Sequence, residues 1–539
     1  MNTGSVQPRA VTDLLWHAAA AAGARPAVAM SGQTTTYAEL RSRASSVAAV
    51  LVDRGVKSGD RVAILAERGP DAVAAYFGVL AAGAVAVVVN ERSRPRQVEY
   101  VLRRSTARAL LTSDLVLSEH PRALETDADV IDIATIAVDK NLEWTPRPPG
   151  ERGLAQIIFT SGSTGLPKGV VFSHRAMLAA IEMVVGYLEL ADDDRIFSLL
   201  PFSSVYGLNQ LLCAVWTKST LVVSISSLAA KIVAEAREQR VTVMAGVPPL
   251  WLQLIATPAF AAMPIESLRV LQNAGGHLPV DAVRQLRAAQ PHARLFLQYG
   301  MTETFRSTFL APHEVDLHPD SMGREVPGAS ITIVRDDGAL CAPGEVGELV
   351  FSGPTTAEGY WEDEELTAAV FRAGREGAGV AGRAVHSGDM VRRDTKGLLY
   401  YVSRRDRMIK SLGFRIGPDE IVDVLYASGD ILETAIATEP DPIRGERIIA
   451  YVVLKPGASK RHLEQFARFE LPRHMQPARI EVREALPRLV SGKYDMNALR
   501  DVQGHRLCCG EPASSDHREL PSVAVQFEAS AVSHDSYVT

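Results

Sequence analysis

Apolar and polar positions along this chain change rhythm repeatedly. Tyr37 to Val52 has helix-like spacing and leads through Gly59-Asp60 into the apolar run Arg61-Val62-Ala63-Ile64-Leu65, which reads as a strand. Ala72 to Val89 shifts from alanine-rich to β-branched across Gly83, predicting helix, turn and buried strand. Ala155 to Phe159 and Val170 to Phe172 are two further short strands flanking a polar loop. This alternation continues to about residue 400, where Lys396 to Val402 ends a strand pair with a glycine turn. It predicts an α/β body with mainly parallel sheets flanked by helices.

The charged cluster Ser403-Arg404-Arg405-Asp406-Arg407 then interrupts the pattern. Beyond it, Glu420 to Tyr426 reads as a helix, Ile448 to Leu454 as a strand and Lys460 to Phe469 as a second helix, making a small α+β unit. We therefore expect a large domain over 1–402, a hinge at 403–406, a small C-terminal domain over 407–502 and a disordered tail over 503–539, where periodicity fails.

Composition narrows the function. The 539 residues carry a formal charge of -6, so no global basic field favours nucleic acid or an anionic membrane. Four cysteines, two adjacent at Cys508-Cys509, form no disulfide framework or zinc spacing, and a reducing cytoplasm is expected. The uncharged stretches Ala72 to Val89 and Phe197 to Thr217 are cut by glycines and by polar residues respectively, so no membrane span is expected. The N-terminus lacks a convincing export signal.

Chemistry concentrates in Thr160-Ser161-Gly162-Ser163-Thr164-Gly165-Leu166-Pro167-Lys168-Gly169. Its glycines free backbone N–H groups, its hydroxyls add donors and Lys168 adds charge, a surface suited to phosphate. It is not a Walker A loop, because Lys168 follows a proline and precedes a strand-like run instead of opening a helix.

Three more segments join it: Gln298-Tyr299-Gly300-Met301-Thr302-Glu303, His386-Ser387-Gly388-Asp389 and Pro487-Arg488-Leu489-Val490-Ser491-Gly492-Lys493. In order and over essentially the whole chain to about Arg500, these resemble the adenylate-forming superfamily of acyl-CoA synthetases, adenylation domains and luciferases. The neighbourhood from Tyr299 to Gly323 is similar to bacterial acyl-CoA ligases of biosynthetic clusters. The resemblance implies a large domain with a β-barrel-like subdomain, and a small mobile C-terminal domain.

It also implies roles. The loop of Thr160, Ser161, Gly162, Ser163, Thr164 and Gly165 would hold the β- and γ-phosphates of ATP, with Lys168 as counter-charge. Thr302 would bond the α-phosphate and Glu303 would hold Mg²⁺. Gly275 and Gly276 would let adenine lie against backbone, Tyr299 would stack on it, and Asp389 would accept the ribose hydroxyls, with Arg404 beside ribose or phosphate. Lys493 would reach between substrate carboxylate and α-phosphate when the small domain closes. Asp406 would absorb hinge rotation, Ser403 stands where the family usually has glycine, and Gly413 would flank the pantetheine arm of coenzyme A.

For the acid, Ser204, Val205, Tyr206, Gly246 and Gly300 are the expected pocket, and Ser204 stands where many relatives carry histidine. No aspartate lies from Pro201 to Leu208 to pair with an α-ammonium group, so an acid without one is expected. The implied reaction is ATP-dependent acylation of coenzyme A. Delivery to a carrier-protein phosphopantetheine, and a protein that only binds or transfers an acyl adenylate, are the alternatives.

Overall fold

The computed structural model describes residues 7–113, 116, 118, 127–150, 152–161, 167–374, 383–412, 414–441, 445–489 and 493–501. Gly162, Ser163, Thr164, Gly165 and Gly413, the cysteine pair and the tail fall outside them.

Two sheets build the body. One has nine strands, whose centre runs Arg294–Tyr299, Val270–Asn273, Val243–Gly246, Arg195–Ser198, Thr220–Val223 and Pro26–Met30, all parallel. Antiparallel strands finish both edges. The other has seven strands, in which Leu154–Ser161, Val85–Val88, Arg61–Leu65, Ala109–Thr112 and Asp129–Asp132 are parallel and Pro167–Ser173 returns antiparallel. Buried parallel strands explain the near-continuous apolar runs of the sequence.

The stretch Ala72 to Val89 behaves as its pattern predicts. Pro70 opens a helix ending at Ala81, Gly83 turns at φ 80°, and Val85–Val88 forms a strand. That helix lies so close to Tyr37–Asp53 that a Cβ on Gly78 would sit 2.6 Å from the Val47 Cβ. Phe197 to Thr217 is likewise a strand end followed by the helix Val205–Thr217. Among the described residues no helix is long and apolar enough to cross a membrane.

The barrel-like part is a five-stranded antiparallel sheet of Ser330–Val334, Gly347–Ser352, Arg383–Arg393 and Phe371–Ala373, with Leu399–Arg404 also on the Arg383–Arg393 strand. Ser403 is buried in this last strand and needs no positive φ, so a side chain is tolerated there. A second five-stranded sheet carries Ile409–Ser411, Phe414–Ile416, Gly445–Leu454, Ile431–Asp441 and Arg479–Val482, covered by helices Pro418–Ala427 and Lys460–Glu470. It packs with the body in one compact unit that ends at Met496.

Candidate active site

Three neighbouring parallel strands end side by side at the site. Gly246 pairs with Asn273, and Asn273 with Leu297, so Gly246, the Asn273–Gly276 turn and Tyr299–Gly300 leave the sheet together at carboxyl ends, where open α/β sheets bind ligands. Gly275 takes φ 83°, open to glycine and strained for other residues. A Cβ on Gly276 would come 3.3 Å from Pro248, and one on Gly246 would lie 2.7 Å from the Trp251 ring.

Lys493 comes to this edge from the C-terminal segment. A Cβ on Gly275 would lie 3.6 Å from its Cε, although the two residues are far apart in sequence. Lys493 is exposed overall, and Arg407, Asp389 and Arg404 lie near its ammonium. Desolvation lowers its pKa, repulsion by Arg407 and Arg404 adds to this, and Asp389 opposes it.

Asp389 sits opposite Arg404 in the strand pair. Its Oδ2 accepts from the Tyr299 hydroxyl at 2.5 Å, while its buried Oδ1 has no hydrogen-bond donor, Arg404 Nε standing 3.7 Å away. Burial raises the Asp389 pKa against the pull of Arg404 and Tyr299. The Ser387 hydroxyl donates to Leu349 O at 2.7 Å and accepts from Asp389 N at 2.9 Å, fixing the turn. An open carboxylate oxygen beside small residues and an aromatic ring fits a nucleoside, and the cations Lys493, Arg404 and Arg407 fit its phosphates.

The described residues flanking the glycine-rich stretch pair antiparallel, with Thr160 facing Lys168 and Ser161 facing Pro167. The short strand Gly359–Tyr360 pairs with Val170 and Val171 of that hairpin, and the Tyr360 hydroxyl donates to Glu303. Tyr360 thereby ties the hairpin to the 3-10 turn Thr302–Thr304 that carries Thr302 and Glu303. Sequence reasoning missed it, since only the fold brings 303 and 360 together. Among the described residues no cluster of three acidic, histidine or cysteine side chains forms a metal cage. Glu303 alone suits Mg²⁺, which is usually held by one or two carboxylates plus substrate phosphates.

On the acid side, Ser204 caps the helix Val205–Thr217. Its hydroxyl donates to Pro201 O at 2.9 Å and accepts from Gly207 N at 3.0 Å. Tyr206 donates to Gln272 O at 2.9 Å, and the Arg306 guanidinium lies 4.7 Å from its ring centroid. Gly300 touches the same turn: a Cβ there would lie 3.0 Å from Arg306 Cα. Arg306 was not among the expected residues. Asp406 lies in a 3-10 turn, Arg405–Arg407, directly after Arg404.

The two bodies also meet at His277, one residue past Gly276. Its Nε2 lies 2.9 Å from Asp423 Oδ1 on the helix Pro418–Ala427, and Asp423 Oδ1 accepts from Val280 N at 3.3 Å. Burial lowers the His277 pKa, but the bond and charge of Asp423, with Asp419 and Asp320, outweigh it and raise the ring to about 9.

Cations gathered at the carboxyl ends of parallel strands, one of them a lysine from the C-terminal segment, are in keeping with enzymes that activate carboxylates as adenylates. Residues 15–361 match the profile of the AMP-binding enzyme family and residues 420–493 that of the AMP-binding enzyme C-terminal domain. The chain belongs to this family and is an AMP-forming acid–thiol ligase. It is 28% identical over 540 residues to a long-chain-fatty-acid–CoA ligase of Salmonella typhimurium, covering 92% of this chain and 94% of that one. Novobiocin biosynthesis protein H of Streptomyces niveus is 31% identical over 492 residues, with 88% and 80% covered. The o-succinylbenzoate CoA synthetase of Bacillus subtilis, solved with its acyl-adenylate intermediate, superposes with a TM-score of 0.80 at 27% identity, over 90% of this chain and 98% of that one.

Proposed function

We propose that the protein joins a carboxylic acid lacking an α-amino group to coenzyme A in two steps, in the cytoplasm. A carboxylate oxygen attacks the α-phosphorus of ATP, forming the acyl phosphate bond as the bond to pyrophosphate breaks. The thiol sulfur then attacks the acyl carbon, and AMP leaves with the bonding pair. The observation that carries this reading is the approach of Lys493 to Gly275 and Asp389.

In the first step two anions converge, and the Lys493 ammonium offsets that charge between carboxylate and α-phosphate. Thr302 donates to the α-phosphate, Asp389 and Arg404 hold the ribose side, and Tyr299 lies along the base. The hairpin with Thr160, Ser161 and Lys168 receives the outer phosphates. Glu303, oriented by Tyr360, would hold Mg²⁺, which would supply charge neutralisation at the phosphates when bound. Gly246, Gly300, Ser204, Val205 and Tyr206 surround the acid, and a guanidinium over Tyr206 disfavours an ammonium group there. The domain division at 403–406, with Asp406 as the pivot and Gly413 beside the thiol arm, belongs to this reading.

The test is acid-dependent release of pyrophosphate and AMP from Mg-ATP over fatty, aryl and dicarboxylic acids, with and without coenzyme A. Thioester formation with one acid class is expected. Pyrophosphate exchange that coenzyme A does not carry forward would point to a carrier-protein thiol, and no exchange with any acid would contradict the ligase.

A further inference from the structure

A charged side chain given no role in the adenylation chemistry stacks on Tyr206, one of the residues proposed to surround the acid. Arg306 is 3% exposed, and its Nε and Nη2 are buried without any hydrogen-bond partner. These two nitrogens form one edge of the guanidinium, the edge whose parallel N–H groups match the two oxygens of a carboxylate.

The backbone spends strain to aim this residue inward. Phe305 adopts φ 62°, ψ −60°, and Arg306 N bonds Thr304 O at 2.7 Å, which is the rare γ-turn with positive φ. For a bulky aromatic residue such a conformation persists only when its surroundings enforce it, and such strain gathers at functional sites. The Phe305 ring is anchored edge-on against Phe172, with centroids 5.7 Å apart. The next residue thereby enters the space between the helices His174–Leu188 and Val205–Thr217. Its charge reaches Tyr187, Tyr206 and Cys213, each held protonated by burial.

Stacking on Tyr206 occupies the face of the guanidinium, and its Nε–Nη2 edge is left without a hydrogen-bond partner. Neighbouring amides also keep unpartnered atoms, including Gln298 Oε1 and both polar ends of Gln272. Water can serve neutral amides, but a buried cation calls for a counter-charge.

We propose that the activated acid carries a second carboxylate, bound side-on by Nε and Nη2 of Arg306, so that the substrate class is a dicarboxylic acid. This rests on the ligase reading of the site for which carboxylate reacts. The distal group lies toward Arg306 while the reacting carboxylate lies toward Thr302 and Lys493, giving the acid one orientation.

Binding is measured first, by calorimetry without ATP, so that it does not depend on turnover. Dicarboxylic acids from malonate to suberate and the benzene dicarboxylates are each compared with an analogue whose far carboxylate is a methyl group. At least one diacid should bind wild-type protein on the order of a hundredfold more tightly than its partner, because a site built to hydrogen-bond a group rejects the analogue lacking it. Arg306→Met should abolish that preference and leave the methyl-ended acid bound about as before, while Arg306→Lys should recover only part of it, having lost the fork. If every methyl-ended acid binds wild-type protein as well as its diacid, the proposal is wrong. It is equally overturned if Arg306→Met folds and keeps the preference. Pyrophosphate exchange with the preferred diacid then tests the ligase reading separately: binding without exchange overturns the ligase and leaves the diacid site standing.

Discussion

Replacing Asp423 by Asn tests whether His277 latches the C-terminal body. The substitution keeps an oxygen to accept from Val280 N but removes the charge that faces the imidazole. A ring raised from 6.5 to about 9 prefers its charged form in the docked arrangement by roughly 3 kcal/mol, at about 1.4 kcal/mol per unit. Because the docked pKa is the higher one, this contribution is fully present below about pH 6.5 and is lost as pH rises through about 9. Labels on the body and on the helix Pro418–Ala427 allow docking to be followed by energy transfer from pH 6 to 10. Wild-type docking should weaken with an apparent midpoint between about pH 6.5 and 9, the interval over which the ring's contribution is lost. Asp423→Asn should dock less at pH 7 and show no such midpoint. Superimposable profiles for the two proteins would refute the latch, and so would a wild-type profile that is flat through pH 9.

Two other predictions concern single residues. Lys493→Ala should slow acyl-adenylate formation by on the order of 10²–10³-fold, the scale for losing a charge-stabilising group, with a much smaller effect on thioester formation from supplied acyl adenylate; equal losses in both steps, measured by single-turnover kinetics, would contradict its assigned role. Ser204→Ala should destabilise the start of its helix by about 1 kcal/mol, read as roughly fivefold faster hydrogen exchange at Gly207 and Leu208, and unchanged exchange would mean the cap bond contributes nothing.

Local physics made much of the fold legible. Val85–Val88, Arg61–Leu65 and the Leu154–Ser161 hairpin partner are apolar runs bounded by glycine or polar turns, and each forms the expected strand. The candidate site could be assembled from sequence where its residues sit in contiguous motifs, as with Thr302-Glu303 or Ser387-Gly388-Asp389. It was illegible where long-range packing makes the contact. Nothing near Tyr360 announces that it will hold Glu303, and His277 and Asp423 are 146 positions apart. Arg306 follows a residue whose strained dihedrals no propensity would assign, so its inward direction is a property of the folded turn. Ser204, which stands where many relatives carry histidine, uses its hydroxyl on a helix start that the pattern Ser-Val-Tyr-Gly does suggest on its own.

The position of His277 links docking to ligand binding. It follows directly on Gly275 and Gly276, the glycines proposed to lie against adenine, and its ring grips the helix of the C-terminal body. Lys493 arrives at that same turn from the C-terminal body. A nucleotide that orders the Asn273–Gly276 turn therefore favours the His277–Asp423 contact, and docking in turn favours the nucleotide by the same factor, since coupling between two binding equilibria is reciprocal. Release of the latch is then an energetic requirement for any second arrangement of the C-terminal body. In the proposed reaction, the departure of pyrophosphate would remove anionic charge from near Lys493, which Arg407 and Arg404 repel.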